Sequence, residues 1–265
     1  MNKPFFIAGP CVIESEKIVF ETAEKLKEIS EDLKIELYFK SSYDKANRTS
    51  ISGFRGPGLE RGLEILAKVK EKFKLGILTD VHDLHDIPKV AEVVDIIQIP
   101  AFLSRQTDML IEAAKTGKIV NVKKGQFMSP NEAIRAVEKV IKVGGKAWIT
   151  ERGTTFGYND LVVDFRNAVW LRNSGARLVY DATHSLQRPG ISESSGGYRR
   201  LITHLARGAI AVGFDGIFSE VHPNPENALS DANTQIPLKF YKNFVEMILE
   251  IWETAKNWYN FEFSD

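Results

Sequence analysis

Lysine, arginine, histidine, acidic residues and a lone cysteine stand where stretches of strand-like sequence run out. Cys11 follows the apolar run 5–10, Lys40 closes 35–40, and Asp80 and His82 end 76–82. Lys123 and Lys124 end 119–124, Glu151 and Arg152 end 147–152, Asp181 and His184 end 178–184, and Glu220 and His222 end 216–222. One charged residue at a strand end is ordinary. The same end in strand after strand makes one face of a parallel sheet the seat of chemistry. Cations outnumber anions there, so the expected substrates are anionic, most simply phosphates and carboxylates.

Two groupings follow. Lys40, Lys45, Arg48, Lys123 and Arg152 lie on or just after the second, fifth and sixth strands, where ammonium and guanidinium groups satisfy phosphate and carboxylate oxygens by charge-assisted hydrogen bonds. So many cations at one mouth suit two anionic substrates or one bisphosphate. The plainer reading, solvated ion pairs, fits Lys25, Lys27, Lys70 and Lys72, which sit in helical patterns with acidic neighbours. Lys123 or Lys124 also has the chemistry of a Schiff-base nucleophile, as in a class I aldolase.

The elements that must position these residues alternate strand and helix. Strands are expected over 5–9, 35–40, 76–80, 95–99, 119–123, 147–150, 178–181 and 216–219. Helices are expected from about Ser15 to before Ile35, then over 59–73, 84–92, 105–115, 130–143, 159–173, 199–212 and 237–258. The count and size are those of an α/β protein, a (β/α)8 TIM barrel, with 1–265 as a single domain. A doubly wound sheet is the competing architecture, with fewer strands and one crevice at a switch point. Ile7, Leu37, Ile77, Ile97, Val120, Ile149, Val179 and Ile217 are the expected strand contributions to the core.

Closure of a barrel sets strand eight beside strand one. Cys11, His184 and Glu220 then end neighbouring strands, and Asp231 lies on the loop leaving the eighth. A thiolate, an imidazole and two carboxylates suit a borderline divalent ion such as zinc or iron. Taken singly, each has a plainer explanation: a lone cysteine is commonly a small buried hydrophobe, and both carboxylates have lysines to satisfy them.

Composition bounds the partners. Thirty-five Lys and Arg balance 35 Asp and Glu, which argues against a broad nucleic-acid surface and leaves room for a local cationic pocket. One cysteine precludes an intramolecular disulfide framework and fits a reducing compartment. The apolar run near Met1 is too brief for a signal segment or membrane span, so a soluble cytoplasmic protein without a membrane partner is expected. No nucleotide phosphate-loop or dinucleotide fingerprint is present.

Lys45-Ala46-Asn47-Arg48-Thr49-Ser50 resembles a signature of the 3-deoxy-D-manno-octulosonate 8-phosphate synthase family. So do Gly9-Pro10-Cys11, Phe54 to Gly58, Ile99 to Leu103 leading into Arg105-Gln106-Thr107-Asp108, and Asn121 to Phe127. Thr150 to Gly153, Asp181 to Ser185, Ser195 to Gly197 and Glu220 to Pro223 continue the series in order over nearly the whole chain. The sister enzymes that use erythrose 4-phosphate carry Lys-Pro-Arg where this chain has Ala46-Asn47-Arg48.

The resemblance implies a transferase of lipopolysaccharide precursor synthesis, with the same barrel fold and a homotetrameric assembly. It implies that phosphoenolpyruvate condenses with D-arabinose 5-phosphate and water. Phosphoenolpyruvate contacts would fall on Lys40, Lys45, Lys123 and Arg152, and sugar-phosphate contacts on Asn47, Arg48 and Thr49, with Arg105 supplied by an adjacent subunit. Cys11, His184, Asp80, Lys45 and Asp231 would be catalytic. His82 joins Asp80 and His184 as a proton-transfer candidate by position. One branch of the family lacks metal and carries Asn where this chain has Cys11. The resemblance is therefore to the metal-dependent branch, with zinc, iron, manganese or a similar ion on Cys11, His184, Glu220 and Asp231. Lys124-Gly125-Gln126 points the same way, and the loop 187–195 departs from the family pattern in a way that bears on lid closure.

Overall fold

A computed structural model describes residues 2–48, 50–158, 160–188, 196–261 and 263. Among them, eight parallel strands close on themselves: β1 (Phe5–Gly9), β2 (Leu37–Lys40), β3 (Gly76–Asp80), β4 (Ile96–Ile99), β5 (Ile119–Lys123), β6 (Lys146–Glu151), β7 (Arg177–Asp181) and β8 (Gly216–His222). Closure runs from Phe5 beside Gly216 to Gly9 beside Glu220, so the TIM-barrel expectation holds and the doubly wound one does not. Helices α1 (Glu16–Asp32), α2 (Leu59–Phe73), α3 (Ile87–Val93), α4 (Thr107–Lys115), α5 (Pro130–Lys142), α6 (Asn167–Arg172), α7 (Ile202–Ala211) and α8 (Tyr241–Ala255) intervene.

Local sequence explains the helix starts. Ser15, in extended conformation, accepts the Ile18 N–H and caps α1. Ser129 and Glu132 form a reciprocal capping box at α5, with Pro130 in its first turn. Val19, Ala23, Leu26 and Ile29 recur at helical spacing and bury the inner stripe of α1.

Strand alternation decides which side chains enter the barrel. Ile7 and Val179 face the lumen, packed with Phe5, Leu78, Ile96, Trp148 and Phe218. Leu37, Ile77, Ile97, Val120, Ile149 and Ile217 pack outward, in the core shared with the helices. The bottom of the lumen is aromatic: Phe5 and Trp148 rings lie 4.3 Å apart, and the Arg177 guanidinium covers Phe5 at 4.0 Å. Two residues further along the same faces come Gly9, Lys40, Asp80, Gln98, Asp181 and Glu220, so each strand changes from apolar to polar as it approaches the mouth.

Several elements differ from the sequence expectation. The helix expected over 159–173 is a hairpin, Thr154–Phe156 paired with Asp160–Val162, followed by the short α6. Gly157 takes a left-handed φ of 64° at the turn, and Val162 and Val163 favour extended chain. Asn159 lies outside the described residues. Helix α4 begins at Thr107, so Arg105 stands in the turn before it. A 3-10 turn, Arg199–Leu201, precedes α7. The segment Ile236–Pro237 adds a short parallel strand to the end of β8, and a 3-10 turn, Leu238–Phe240, delays α8 to Tyr241. No described helix is long and apolar enough to cross a membrane.

Candidate functional site

Gly9 is required where β1 meets the end of β2. At φ 155°, a Cβ there would lie 2.0 Å from the Lys40 carbonyl oxygen. This close approach lets the Lys40 ammonium donate to the Cys11 carbonyl and the Ser42 hydroxyl, both at 3.0 Å, so the end of β2 is fastened to the turn carrying Cys11.

Behind that turn, Cys11, Glu220 and Asp231 bring one ligand atom each within 4.8 Å of one another. Cys11 Sγ lies 2.8 Å from Ser230 Oγ and 3.3 Å from Asp231 Oδ2. His184 Nε2 lies 3.3 Å from Glu220 Oε1 and 3.7 Å from Asp231 Oδ2. The other ring nitrogen, Nδ1, is paired with Asp181 Oδ2 at 2.8 Å. With the proton on Nδ1, Nε2 turns a lone pair toward two carboxylates, an arrangement that needs a cation or a second proton between them.

Glu220 sharpens the point. Both of its carboxylate oxygens are buried without a hydrogen-bond donor, and the nearest lysines, Lys40 and Lys45, stand off at 3.7 and 3.9 Å. The simple explanation, carboxylates satisfied by lysine hydrogen bonds, therefore fails for Glu220. A thiol, an imidazole and two carboxylates with unused acceptor capacity fit a divalent cation.

The electrostatics are those of a charged site taken out of water. Burial, with Asp231 and Glu220 nearby, pushes the Cys11 thiol well above its ordinary range. Burial opposes ionisation of Glu220 and Asp181, yet His184 with Lys45 and Lys40, and His184 with Lys123, respectively hold them below the usual carboxylate range. Burial would lower His184, but Asp181 and Glu220 raise it.

The cations surround a cavity of about 210 Å³ lined by Lys40, Lys45, Asn47, Arg48, Lys123 and Arg152, and Asp80, His82, His184 and Asp231 line it too. The structure thus brings together all the expected cationic residues except Arg105. Cys11 and Glu220 lie behind the lining, fully buried. Thr49 lies outside the described residues, as does 189–195, most of the divergent loop. Arg105 is exposed, 3.8 Å from Glu132, and does not line this chain's cavity.

Lys123 is held on two sides. Its ammonium is ion-paired with Asp181 and sits 3.6 Å from the centre of the Phe218 ring. Burial brings its pKa down to about 8; Asp181 resists the shift, and Arg152 and Lys40 add to it. Lys45 is also pulled down by burial, but Cys11, Glu220, Asp80 and Asp231 hold it above the ordinary lysine range. Asp80, which also lines the cavity, is kept ionised against burial by Lys40, His82 and Lys45, and its Oδ1 has no partner. Lys124 points elsewhere, buried beside Glu151, and is removed from the Schiff-base alternative.

Four polar groups at the site drew no role from the sequence. Gln98, Gln126 and Gln187 line the cavity, and Arg152 donates to Gln187 Oε1 at 3.2 Å. Asp181 joins the two groupings, accepting from both Lys123 and His184. Glutamine carries no charge to mark it. Gln98 stands on the lumen face two residues beyond Ile96, a position that alternation gives once the facing of Ile96 is known.

Similarity to known proteins agrees with this geometry. The model of the DAHP synthetase I family matches residues 1–257. Proteins named 2-dehydro-3-deoxyphosphooctonate aldolase are similar throughout: one from Campylobacter jejuni (strain RM1221) is 49% identical over 97% of this chain and 99% of its own. Another, from Polaromonas sp. (strain JS666 / ATCC BAA-500), is 50% identical over 98% and 94%, and a third, from Pisum sativum, is 51% identical over 96% and 90%. With half its residues shared with them over nearly full length, this chain belongs to the DAHP synthetase I family.

Proposed function

We propose that the chain is a 2-dehydro-3-deoxyphosphooctonate aldolase working in the synthetic direction. Phosphoenolpyruvate, D-arabinose 5-phosphate and water give 3-deoxy-D-manno-octulosonate 8-phosphate and inorganic phosphate, a lipopolysaccharide precursor step. The observation that carries this reading is the lining of the cavity: five cations for two phosphates and a carboxylate, set against the Cys11, His184, Glu220 and Asp231 cluster.

Lys40, Lys45, Lys123 and Arg152 bind phosphoenolpyruvate. Asn47, Arg48 and Thr49 take the sugar phosphate, and Arg105 serves a neighbouring subunit of a homotetramer. The cations hold two anions together against their mutual repulsion, which brings C3 of the enol to the aldehyde carbon. A C3–C bond forms, positive charge grows at C2, and water adds there. The resulting hemiketal phosphate loses phosphate by C–O cleavage. Asp80 and His82, facing the cavity together at 3.5 Å, are placed to exchange protons with the reacting hydroxyls. Cys11, His184, Glu220 and Asp231 would hold a divalent ion, zinc, iron, manganese or a similar one. When bound, such an ion supplies polarisation of an oxygen on the sugar or of water. Phosphorylated substrates and a reduced cysteine suit the cytoplasm.

Phosphate release should require phosphoenolpyruvate and arabinose 5-phosphate together, in protein supplied with a divalent metal. No release with both present would overturn the reading. A second reading, a Schiff-base aldolase, is favoured by one observation, the lowered pKa of buried Lys123. Borohydride decides between them: irreversible trapping of substrate on Lys123 would establish the imine, and no trapping excludes it.

A further inference from the structure

Strands β5 and β6 each end on two charged residues in succession, and alternation sends them opposite ways. Lys123 and Arg152 enter the lumen. Lys124 and Glu151 turn outward, yet both are completely buried. Their charged groups lie 3.5 Å apart under the loops that leave the two strands.

The polar atoms of this pair are bonded to those loops and to the start of α6. Glu151 Oε1 accepts the Gly153 N–H at 2.6 Å, and Oε2 accepts from the Asn167 side chain at 2.6 Å. Lys124 Nζ donates to Thr154 Oγ1 at 3.0 Å and to the Met128 carbonyl at 3.4 Å. The Thr155 N–H in turn donates to the Gln126 carbonyl at 3.0 Å. The pair therefore fastens the loop carrying Gln126 to the one leaving Arg152. Those two residues share a further property: Gln126 Oε1 and Arg152 Nη1 are both buried, line the cavity and have no hydrogen-bond partner. Both atoms are unsatisfied, which suits groups that pair with a bound ligand.

We infer that Lys124 and Glu151 are positioning residues for the phosphoenolpyruvate half of the site, a strut that sets Arg152 and Gln126 at the spacing the bound anion needs. A buried ion pair is a poor source of stability, since well-packed apolar residues of similar volume commonly replace one without loss. Its value here lies in the direction it gives to two neighbours. This role rests on the proposed reaction for the identity of the anion, though not for the geometry.

The test replaces the pair together, Lys124→Met with Glu151→Leu, in the full chain. The double variant should fold with a lowered melting temperature, since Gly153, Asn167, Thr154 and Met128 lose partners, while KM for phosphoenolpyruvate rises about tenfold and KM for arabinose 5-phosphate stays near its wild-type value. A folded double variant with wild-type KM for phosphoenolpyruvate would overturn the strut, as would equal rises in both KM values. Should the double variant fail to fold, Glu151→Gln decides. It keeps an oxygen for Gly153 and loses the charge, so KM for phosphoenolpyruvate should rise about threefold, and no rise overturns the role. If wild-type protein releases no phosphate, it is the proposed reaction that fails. The strut is then judged by calorimetry with inorganic phosphate: weaker binding to Glu151→Gln than to wild type supports it, and equal binding overturns it.

Discussion

Asp181 accepts from Nδ1 of His184 at 2.8 Å, and the same carboxylate oxygen pairs with Lys123. One acidic group thus orients the imidazole that faces Glu220 and Asp231 and also restrains the ammonium at the anion site. Asp181 Oδ1 adds acceptors for the Thr183 and His184 N–H groups, so the carboxylate is itself held on both sides. Carboxylate-held imidazoles of this kind fix the tautomer that leaves Nε2 free as a ligand.

Asp181→Asn should separate these duties. The amide keeps the shape and loses the charge, so affinity for a divalent ion should fall about 10- to 100-fold, and Lys123 should lose its ion pair. Competition against a chromophoric chelator measures the first effect. Unchanged metal affinity would remove Asp181 from the orientation of His184.

Cys11→Asn tests the cluster from the other side. Chelation should abolish wild-type turnover, and zinc, iron or manganese should restore it. The Asn variant should retain partial activity that chelator does not touch, because the related metal-free branch carries Asn at this place. Full turnover of chelator-treated wild type would show that Cys11, His184, Glu220 and Asp231 hold no ion the reaction needs.

The charge on Lys123 gives a pH dependence with a definite sign. Its pKa in the free protein lies near 8, with Asp181, Arg152 and Lys40 as the charges that face it. Below that value the ammonium is present for an anion; as pH rises through it, the free protein loses the charge. A bound anion favours the protonated form, so phosphoenolpyruvate binding should be at full strength near pH 7 and weaken toward tenfold per unit above about 8. Calorimetry from acid to alkaline pH measures this. Lys123→Ala should bind weakly with the break near 8 gone, and an unaltered break in that variant would assign the titration to another group.

The strand ends were legible in the sequence because a parallel barrel gathers them on one face, so Lys40, Lys123, Arg152 and Glu220 needed only correct strand registers. Facing was harder. Six of eight core residues named from the strands pack outward, since purely apolar runs such as Ile96-Ile97 give no alternation to read. Asp181 was visible as a strand end, but its contact with Lys123 crosses the lumen over β6 and joins residues 58 apart. No local pattern encodes such a pair. The hairpin after β6 was hidden by apolar residues at spacings that also suit a helix, until Gly157 and the valines outweighed them.

Arg105 stands exposed beside Glu132 and away from its own chain's cavity, as a residue given to a neighbour would. Arg105→Ala should raise KM for the sugar phosphate while leaving that for phosphoenolpyruvate near wild type. Wild-type activity should fall on dilution to monomers, with mass photometry reporting the assembly. A fully active monomer would end the proposed role in a partner's site.

The proposed selectivity between sugars would rest on the loop after β2, where Asn47 and Arg48 line the cavity and Arg48 Nη2 is buried without a partner. The Arg48 side chain is steadied by its Nε donation to the Phe54 carbonyl at 2.8 Å, which leaves Nη2 as an unpaired donor. Erythrose 4-phosphate is one carbon shorter than arabinose 5-phosphate. On the proposed assignment of Asn47 and Arg48 to the sugar phosphate, the shorter aldose would carry its phosphate one carbon nearer the aldehyde and offer one hydroxyl fewer. A site built to hydrogen-bond a group rejects the analogue lacking it, because its own donors are left unmatched. The shorter sugar should therefore show kcat/KM lower by about 100-fold or more. Asn47→Ala should narrow that gap chiefly by harming arabinose 5-phosphate, by about tenfold for one lost hydrogen bond. Parallel phosphate-release assays with the two aldoses measure both effects, and equal rates on wild type would show that Asn47 and Arg48 do not set the length of the sugar.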